Sequence, residues 1–235
     1  SIEECLKSML SSMILKGEIE KVNNTNSFNK SPLLLSIDGN HIECSKLLCE
    51  YTNYNEDILL ASVKKNNVYV FSKIMENLPE GINLKVKDND KKTILHYATH
   101  HNDCECLRLI LKNDISTFLI KKRDKQGYTP LHFAVECNNI NAVKLLLDYC
   151  ESIYTDYSFL DNLAEDKDTI IHSCFDNKDC LELFLSKYPQ CKQQLLLKNK
   201  YGSTPLVYAA TKNINLVKEI LKYEEGRDSI LVILG

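Results

Sequence analysis

With 235 residues, 44% hydrophobic and 26% charged, the chain has enough apolar material for one or two buried cores and too much for disorder. A formal net charge of −3 excludes bulk electrostatic attraction to nucleic acid, and Lys121-Lys122-Arg123 is only a short basic cluster. No apolar run approaches the roughly 20 residues of a membrane span, so no membrane insertion is expected, and Glu3 and Glu4 stand where a signal peptide carries positive charge.

In chain order, Ile2, Leu6, Met9, Leu10 and Met13 form one apolar stripe, which predicts a helix over residues 2–16. Next come Ser31-Pro32-Leu33-Leu34 and a weak parallel, Asp57-Ile58-Leu59-Leu60. Stronger copies follow at Thr93-Ile94-Leu95-His96-Tyr97-Ala98, Thr129-Pro130-Leu131-His132-Phe133-Ala134, Thr169-Ile170-Ile171-His172 and Thr204-Pro205-Leu206-Val207-Tyr208-Ala209. The starts at 31, 57, 93, 129, 169 and 204 describe a period near 33 with insertions and one deletion. Each start has a physical reason: the Ser or Thr oxygen caps exposed helix-start N–H groups, and Pro, with φ preset and no N–H, suits the first turn.

A second helix follows each first one, as in Ile42 to Leu48, Cys104 to Leu111, Ile140 to Leu147 and Ile214 to Leu221, with apolar residues at steps of three and four. The turns carry Asn40, Asn102 or Asn138-Asn139, because Asn tolerates the left-handed conformation. Those at Asn177 and Asn213 are short. Nine residues before five of the starts stands an aliphatic residue: Val22, Leu84, Ile120, Leu160 and Leu195. Polar turns follow it, as in Asp124-Lys125-Gln126-Gly127 and Asn199-Lys200-Tyr201-Gly202, so an extended hairpin is expected between helix pairs. The 26-residue gap between the first two starts leaves no room for one. A Tyr-rich insert from Tyr149 to Phe159 lengthens one connection.

Asp124-Lys125-Gln126-Gly127-Tyr128-Thr129-Pro130-Leu131-His132-Phe133-Ala134 carries the D-x-x-G-x-T-P-L-H-x-A signature without a mismatch, and Gly202-Ser203-Thr204-Pro205-Leu206 repeats part of it. Over residues 15–223 the chain resembles the ankyrin repeat family. The copies at Thr93 and Thr169 depart from it by lacking Pro, and that at Asp57 lacks Thr, Pro and His. The resemblance implies an all-α ankyrin-repeat solenoid of helix–turn–helix units joined by short hairpin loops. Its parts are a partial capping repeat over 1–26, about six repeats over 27–224 with the second degenerate, and a cap or fragment end over 225–235. The chain begins at Ser1 rather than Met, which fits a piece of a longer protein.

No catalytic constellation, P-loop or Rossmann fingerprint occurs, so no enzyme and no cofactor are expected. His96, His100, His101, Cys104 and Cys106 are zinc-ligand types, but zinc-finger spacing is absent. The resemblance makes His96 a structural partner of Thr93, so no metal is expected. Cys44, Cys106, Cys174 and Cys180 lie in apolar-periodic segments and read as small buried hydrophobes of a reducing compartment, cytoplasmic or nuclear. Cys137 has no His beside it in sequence and is expected to be inert. Tyr97, Phe133 and Tyr208 recur at one helix position and are expected to be partly core.

The function implied is that of a monomeric interaction scaffold or adaptor, binding a folded protein through hairpin tips and the concave helix face. By register the contact residues are Asn89, Lys92, His100 and His101 in one copy. In the next they are Lys125, Gln126, Tyr128, Glu136 and Cys137, and in the last Lys200, Tyr201, Ser203, Thr211 and Lys212. Their Lys and Tyr content suits a partner with an acidic patch. Two narrower expectations stand beside this: the regulatory or targeting part of a larger enzyme or channel, and a proteasome-assembly chaperone similar to gankyrin, on length and fold analogy.

Overall fold

Helices start where the hydroxyl caps predict them. The computed structural model describes residues 2–161, 163–174, 176–223 and 225–228. They fall into two units, Ser1–Asp88 and Asn89–Gly235. The fold is an all-α helix-repeat solenoid, with no strand among the described residues. The apolar end from Ile230 to Leu234 lies outside them.

The first unit holds α1 (Ile2–Leu15), α2 (Pro32–Asp38), α3 (Ile42–Cys49), α4 (Glu56–Lys64) and α5 (Val68–Glu76). Ser31 Oγ accepts the Leu34 N–H at 3.3 Å and so caps α2. First helices pack on first helices, α2 on α4; second helices pack on second helices, α1 on α3 and α3 on α5. The α1 stripe is only partly used: Leu10 is buried but Met9 is 60% exposed.

The degenerate copy starts earlier than its sequence suggests. α4 begins at Glu56, and its cap is Asn55, whose Oδ1 accepts the Ile58 N–H at 3.0 Å; Asp57 is already inside the first turn. The register after the helix is unchanged. Asn67 N–H donates to Ser62 C=O as His41 donates to Ser36 and Asn139 to Ala134.

The second unit holds α6 (Ile94–Ala98), α7 (Glu105–Leu111), α8 (Ile115–Leu119), α9 (Pro130–Glu136), α10 (Ile140–Ile153), α11 (Ile170–Ser173), α12 (Lys178–Lys187), α13 (Gln190–Gln193), α14 (Pro205–Lys212) and α15 (Ile214–Ile220). The same two rows form: α6, α9, α11 and α14 in one, α7, α10, α12 and α15 in the other, each helix packed on the next. Ala98, Ala134 and Ala209 are buried in the first row, where a small side chain lets helices approach. All five aliphatic residues that precede the starts are buried, each stabilising its unit by about 1.5–3 kcal/mol if fully sequestered.

Several second helices take Asn caps: Asn139 Oδ1 accepts the Ala142 N–H at 3.1 Å, and Asn177 Oδ1 the Cys180 N–H at 2.9 Å, whereas α3 and α7 follow His41 and Cys104 with no side-chain cap. Asn40, Asn66 and Asn138 take positive φ ahead of such helices. In the Thr93 copy the left-handed residue is Cys104 (φ 57) and not Asn102. The turn between α14 and α15 shrinks to Asn213 alone. The Tyr-rich insert packs against neighbouring elements. It lengthens α10 to 14 residues, Tyr149 Oη pairs with Ser116 Oγ, and Tyr157 meets Tyr188 edge-on at 5.5 Å. Cys106, Cys174 and Cys180 are buried as expected, whereas Cys44 is only half-buried. Burial pushes the Cys106 and Cys180 thiols up to about 12, so both stay protonated.

Candidate partner-binding surface

Each hairpin of the second unit closes on itself and then ties to the next. Asp124 N–H donates to Tyr128 C=O, Ala164 to Asp168, and Asn199 to Ser203, all at 2.9 Å. Asp124 Oδ1 accepts the N–H groups of Gln126 and Tyr128, and Asn199 Oδ1 those of Tyr201 and Ser203. Between tips, Lys125 N–H donates to Asp90 C=O at 2.7 Å, Glu165 to Gln126 at 2.9 Å and Lys200 to Asp166 at 2.8 Å. Four tips are thus held as a comb with fixed spacing.

Behind the tips runs a row of histidines. His96 Nδ1 accepts the Thr93 N–H at 3.1 Å, and its Nε2–H points at Tyr128 C=O in the next tip, 3.1 Å away. His172 repeats this with Thr169 N–H (3.2 Å) and Ser203 C=O (3.1 Å). Both nitrogens of His96 are therefore used, Nδ1 within its own copy and Nε2 in joining that copy to the next. Among the described residues no group of three His, Cys, Asp or Glu side chains is arranged to hold a metal ion.

The structure gathers several of the expected contact residues. Lys92 Nζ lies 4.3 Å from the centre of the Phe133 ring, and its charge lowers the pKa of Glu136, although partial desolvation leaves that carboxyl above its ordinary value. His100 Nδ1 is 3.2 Å from Cys137 Sγ, and His101 meets His100 edge-on at 5.5 Å. Lys92, Phe133, Glu136, Cys137 and His100 thus form one patch across two copies. The pairing of His100 with Cys137 joins residues 37 apart and is invisible to a local reading. It does not activate the thiol: burial, with Glu136 next and Lys92 opposing, pushes Cys137 up to about 11.

A second patch lies at the last tips. Lys200 pairs with Asp166, Tyr201 Oη donates to Asp166 Oδ2 at 3.3 Å, and Tyr201 is 66% exposed. Asp166 was not among the expected residues; its carboxylate offsets part of the basic character expected here. Lys125, Gln126, Asn89 and Thr211 are exposed, the last with its hydroxyl turned back to Tyr208 C=O at 2.8 Å. Tyr128 and Ser203 are half-buried and serve mainly as layer joints, the Tyr128 ring stacking on His132 at 5.9 Å. Of Lys212 only the backbone is described. Tyr97, Phe133 and Tyr208 are half-buried, as expected of a partly core position.

In the first unit, Phe28 caps a hairpin in which Asn26 Oδ1 accepts the N–H groups of Phe28 and Lys30, both at 3.0 Å, and it is 81% exposed. Sequence reading passed it over because that copy's turn lacks the signature Asp and Gly.

Residues 63–156 match the family model for ankyrin repeats, in three copies. No curated protein matches the chain. No helix among the described residues is long and apolar enough to cross a membrane.

Proposed function

We propose, from the premise that the chain is an ankyrin-repeat protein, that it is an adaptor binding a folded protein partner through the tips and first-helix ends of its second unit. The observation that carries this reading is the comb of tips tied by Lys125–Asp90, Glu165–Gln126 and Lys200–Asp166 backbone bonds. The backbone of tips already tied together loses little further freedom on binding, which leaves more of the contact energy for affinity. Tyr201, exposed and braced by Asp166, suits the role of anchor, and Lys125 and Lys92 suit steering of a partner with an acidic patch. The ten free cysteines, most of them buried, fit a reducing compartment, cytoplasmic or nuclear.

The test is affinity capture from source-cell lysate with the wild-type chain and a Lys125→Ala, His100→Ala, Tyr201→Ala variant. Tyr128 is left intact because its ring stacks on His132. A partner retained by the wild type and lost by the folded variant supports the reading. Equal capture by both moves the surface elsewhere, and capture of proteasomal ATPase subunits narrows the function to an assembly chaperone of the gankyrin type.

A further inference from the structure

Lys121, Lys122 and Arg123 stand together in the link that follows α8, and the Tyr-rich insert is laid against them. Tyr149 Oη pairs with Ser116 Oγ of α8, and Arg123 donates to Leu163 C=O at 2.6 Å, so the link is held between α8 and the insert. Lys121 Nζ lies 4.1 Å from the centre of the Tyr154 ring, and Lys122 Nζ 3.7 Å from that of Phe118. A ring face attracts an ammonium group without neutralising it.

Among the described residues neither lysine is paired with a carboxylate. The nearby carboxylates are engaged with other groups. Asp156 accepts the Ser158 N–H at 3.1 Å and the Ser158 hydroxyl at 2.7 Å. Glu151 pairs with Lys187 at 2.9 Å and accepts the Tyr188 hydroxyl at 2.6 Å. Beside the charges the surface is apolar. Phe118, Ile153 and Tyr157 are exposed, and Ile153, Tyr154 and Tyr157 border an open cleft of about 480 Å³.

We infer that this patch docks an acidic segment of a partner protein, one in which Asp and Glu alternate with leucine or aromatic side chains. Charge complementarity selects it: lysines with no carboxylate of their own, next to a cleft open to an apolar side chain, match carboxylates next to apolar groups. Other polyanions fit less well. Three adjacent cations fall short of the roughly four to eight that hold a chain to an anionic membrane. The net charge of −3 opposes nucleic acid. Arg123, whose planar fork would suit a phosphate group, is turned to Leu163 C=O, and lysines act as point charges suited to carboxylates spread along a segment. None of the residues changed in the capture experiment above belongs to this patch, so either reading can fail without the other.

The probe is a fluorescein-labelled peptide of four Glu-Leu-Asp repeats, read by anisotropy against the whole chain. A Kd on the order of 10–100 μM is expected at about 50 mM NaCl, weakened about fivefold or more at about 500 mM as the charges are screened. Lys121→Glu combined with Lys122→Glu is expected to weaken binding about tenfold or more at an unchanged melting temperature. Two altered peptides leave the protein itself intact: one with Gln and Asn in place of its acids, one with Ser in place of its leucines. Each is expected to bind about tenfold more weakly. The Lys125→Ala, His100→Ala, Tyr201→Ala variant binds the peptide as the wild type does. Absence of binding at about 1 mM protein, or equal binding by the double lysine variant or of either altered peptide, overturns the inference. So does tighter, equally lysine-dependent attachment to vesicles of about 30% phosphatidylserine or to a single-stranded oligonucleotide, because the patch then serves a membrane or a nucleic acid.

Discussion

The threonine that opens each first helix has one job in three copies and a different circumstance in the fourth. Thr169 Oγ1 accepts the His172 N–H at 3.4 Å and lies 2.9 Å from His172 Nδ1. At Thr204 the histidine position is Val207, and Thr204 Oγ1 is buried with no partner. Removing one member of a buried pair leaves the other unsatisfied, whereas replacing an orphan oxygen by a methyl group does not. Thr169→Val is expected to cost about 1–3 kcal/mol in urea unfolding, and Thr204→Val to be neutral or stabilising. Equal losses at both sites count against this account. His172 adds a pH dependence. Burial, only partly offset by Ser203 C=O and Asp168, holds its pKa below the ordinary 6.5. The folded state therefore takes up its proton less readily than the unfolded chain. The stabilisation is complete above about pH 6.5 and is lost as pH falls from there through the lower folded value. The loss of urea midpoint between pH 7.5 and 5.5 is expected to be smaller in His172→Gln than in the wild type.

At the scale of the turn, five tips place the residue two before the start in the left-handed region. Gly127 (φ 81) and Gly202 (φ 74) do so without strain, and Asn29 (φ 59) at little cost. Lys91 (φ 60) and Lys167 (φ 61) hold the same conformation with a full side chain, and both are exposed. Lys91→Gly and Lys167→Gly are each expected to raise stability by about 0.5–1 kcal/mol, additively, in urea titrations; a loss at either site sinks the claim. The reverse change separates two glycines that look alike in sequence. A Cβ at Gly127 meets Glu165 N at 2.5 Å, while at Gly202 nothing lies within 4 Å, so Gly127→Ala costs more than Gly202→Ala.

Most of what was legible came from local chemistry of this kind. Hydroxyl caps, Pro at the first turn and the aliphatic residue nine before each start depend on neighbours in sequence, and they located the helices. What escaped depends on neighbours in space. Asn55, two residues ahead of the apparent start at Asp57, caps α4. Cys104 goes left-handed in place of Asn102, and Asn139, from the next copy, lies against its sulfur, 3.8 Å from Nδ2. The exposure of the expected contact residues was half legible for the same reason. Register placed Lys125 and Tyr201 correctly outside, but it could not tell that Tyr128 turns inward onto His132, or that His100 meets Cys137.

Across the second unit, stability is a sum over layers and the joints between them, as in repeat proteins generally. Asn139 is the most heavily used joint described. It is 2% exposed, its Nδ2 donates to Thr99 C=O at 2.8 Å and to His101 C=O at 2.9 Å, and its Oδ1 caps α10. It therefore ties the Thr129 copy back to the Thr93 copy while starting its own second helix. Asn139→Ala removes the cap and leaves two carbonyls of the neighbouring turn without their donor, a loss of about 2–4 kcal/mol. The consequence for cooperativity is more telling than the loss itself. Once the joint is weakened, the two copies no longer need to open together, so the urea transition broadens and its slope falls as well as its midpoint. Hydrogen exchange locates the change: amides of α6 and α7 lose protection by more than those of α11 and α12. A midpoint shift with an unchanged slope and uniform loss of protection makes Asn139 an ordinary cap; a fallen slope with loss confined to one side makes it the link through which neighbouring layers hold each other folded.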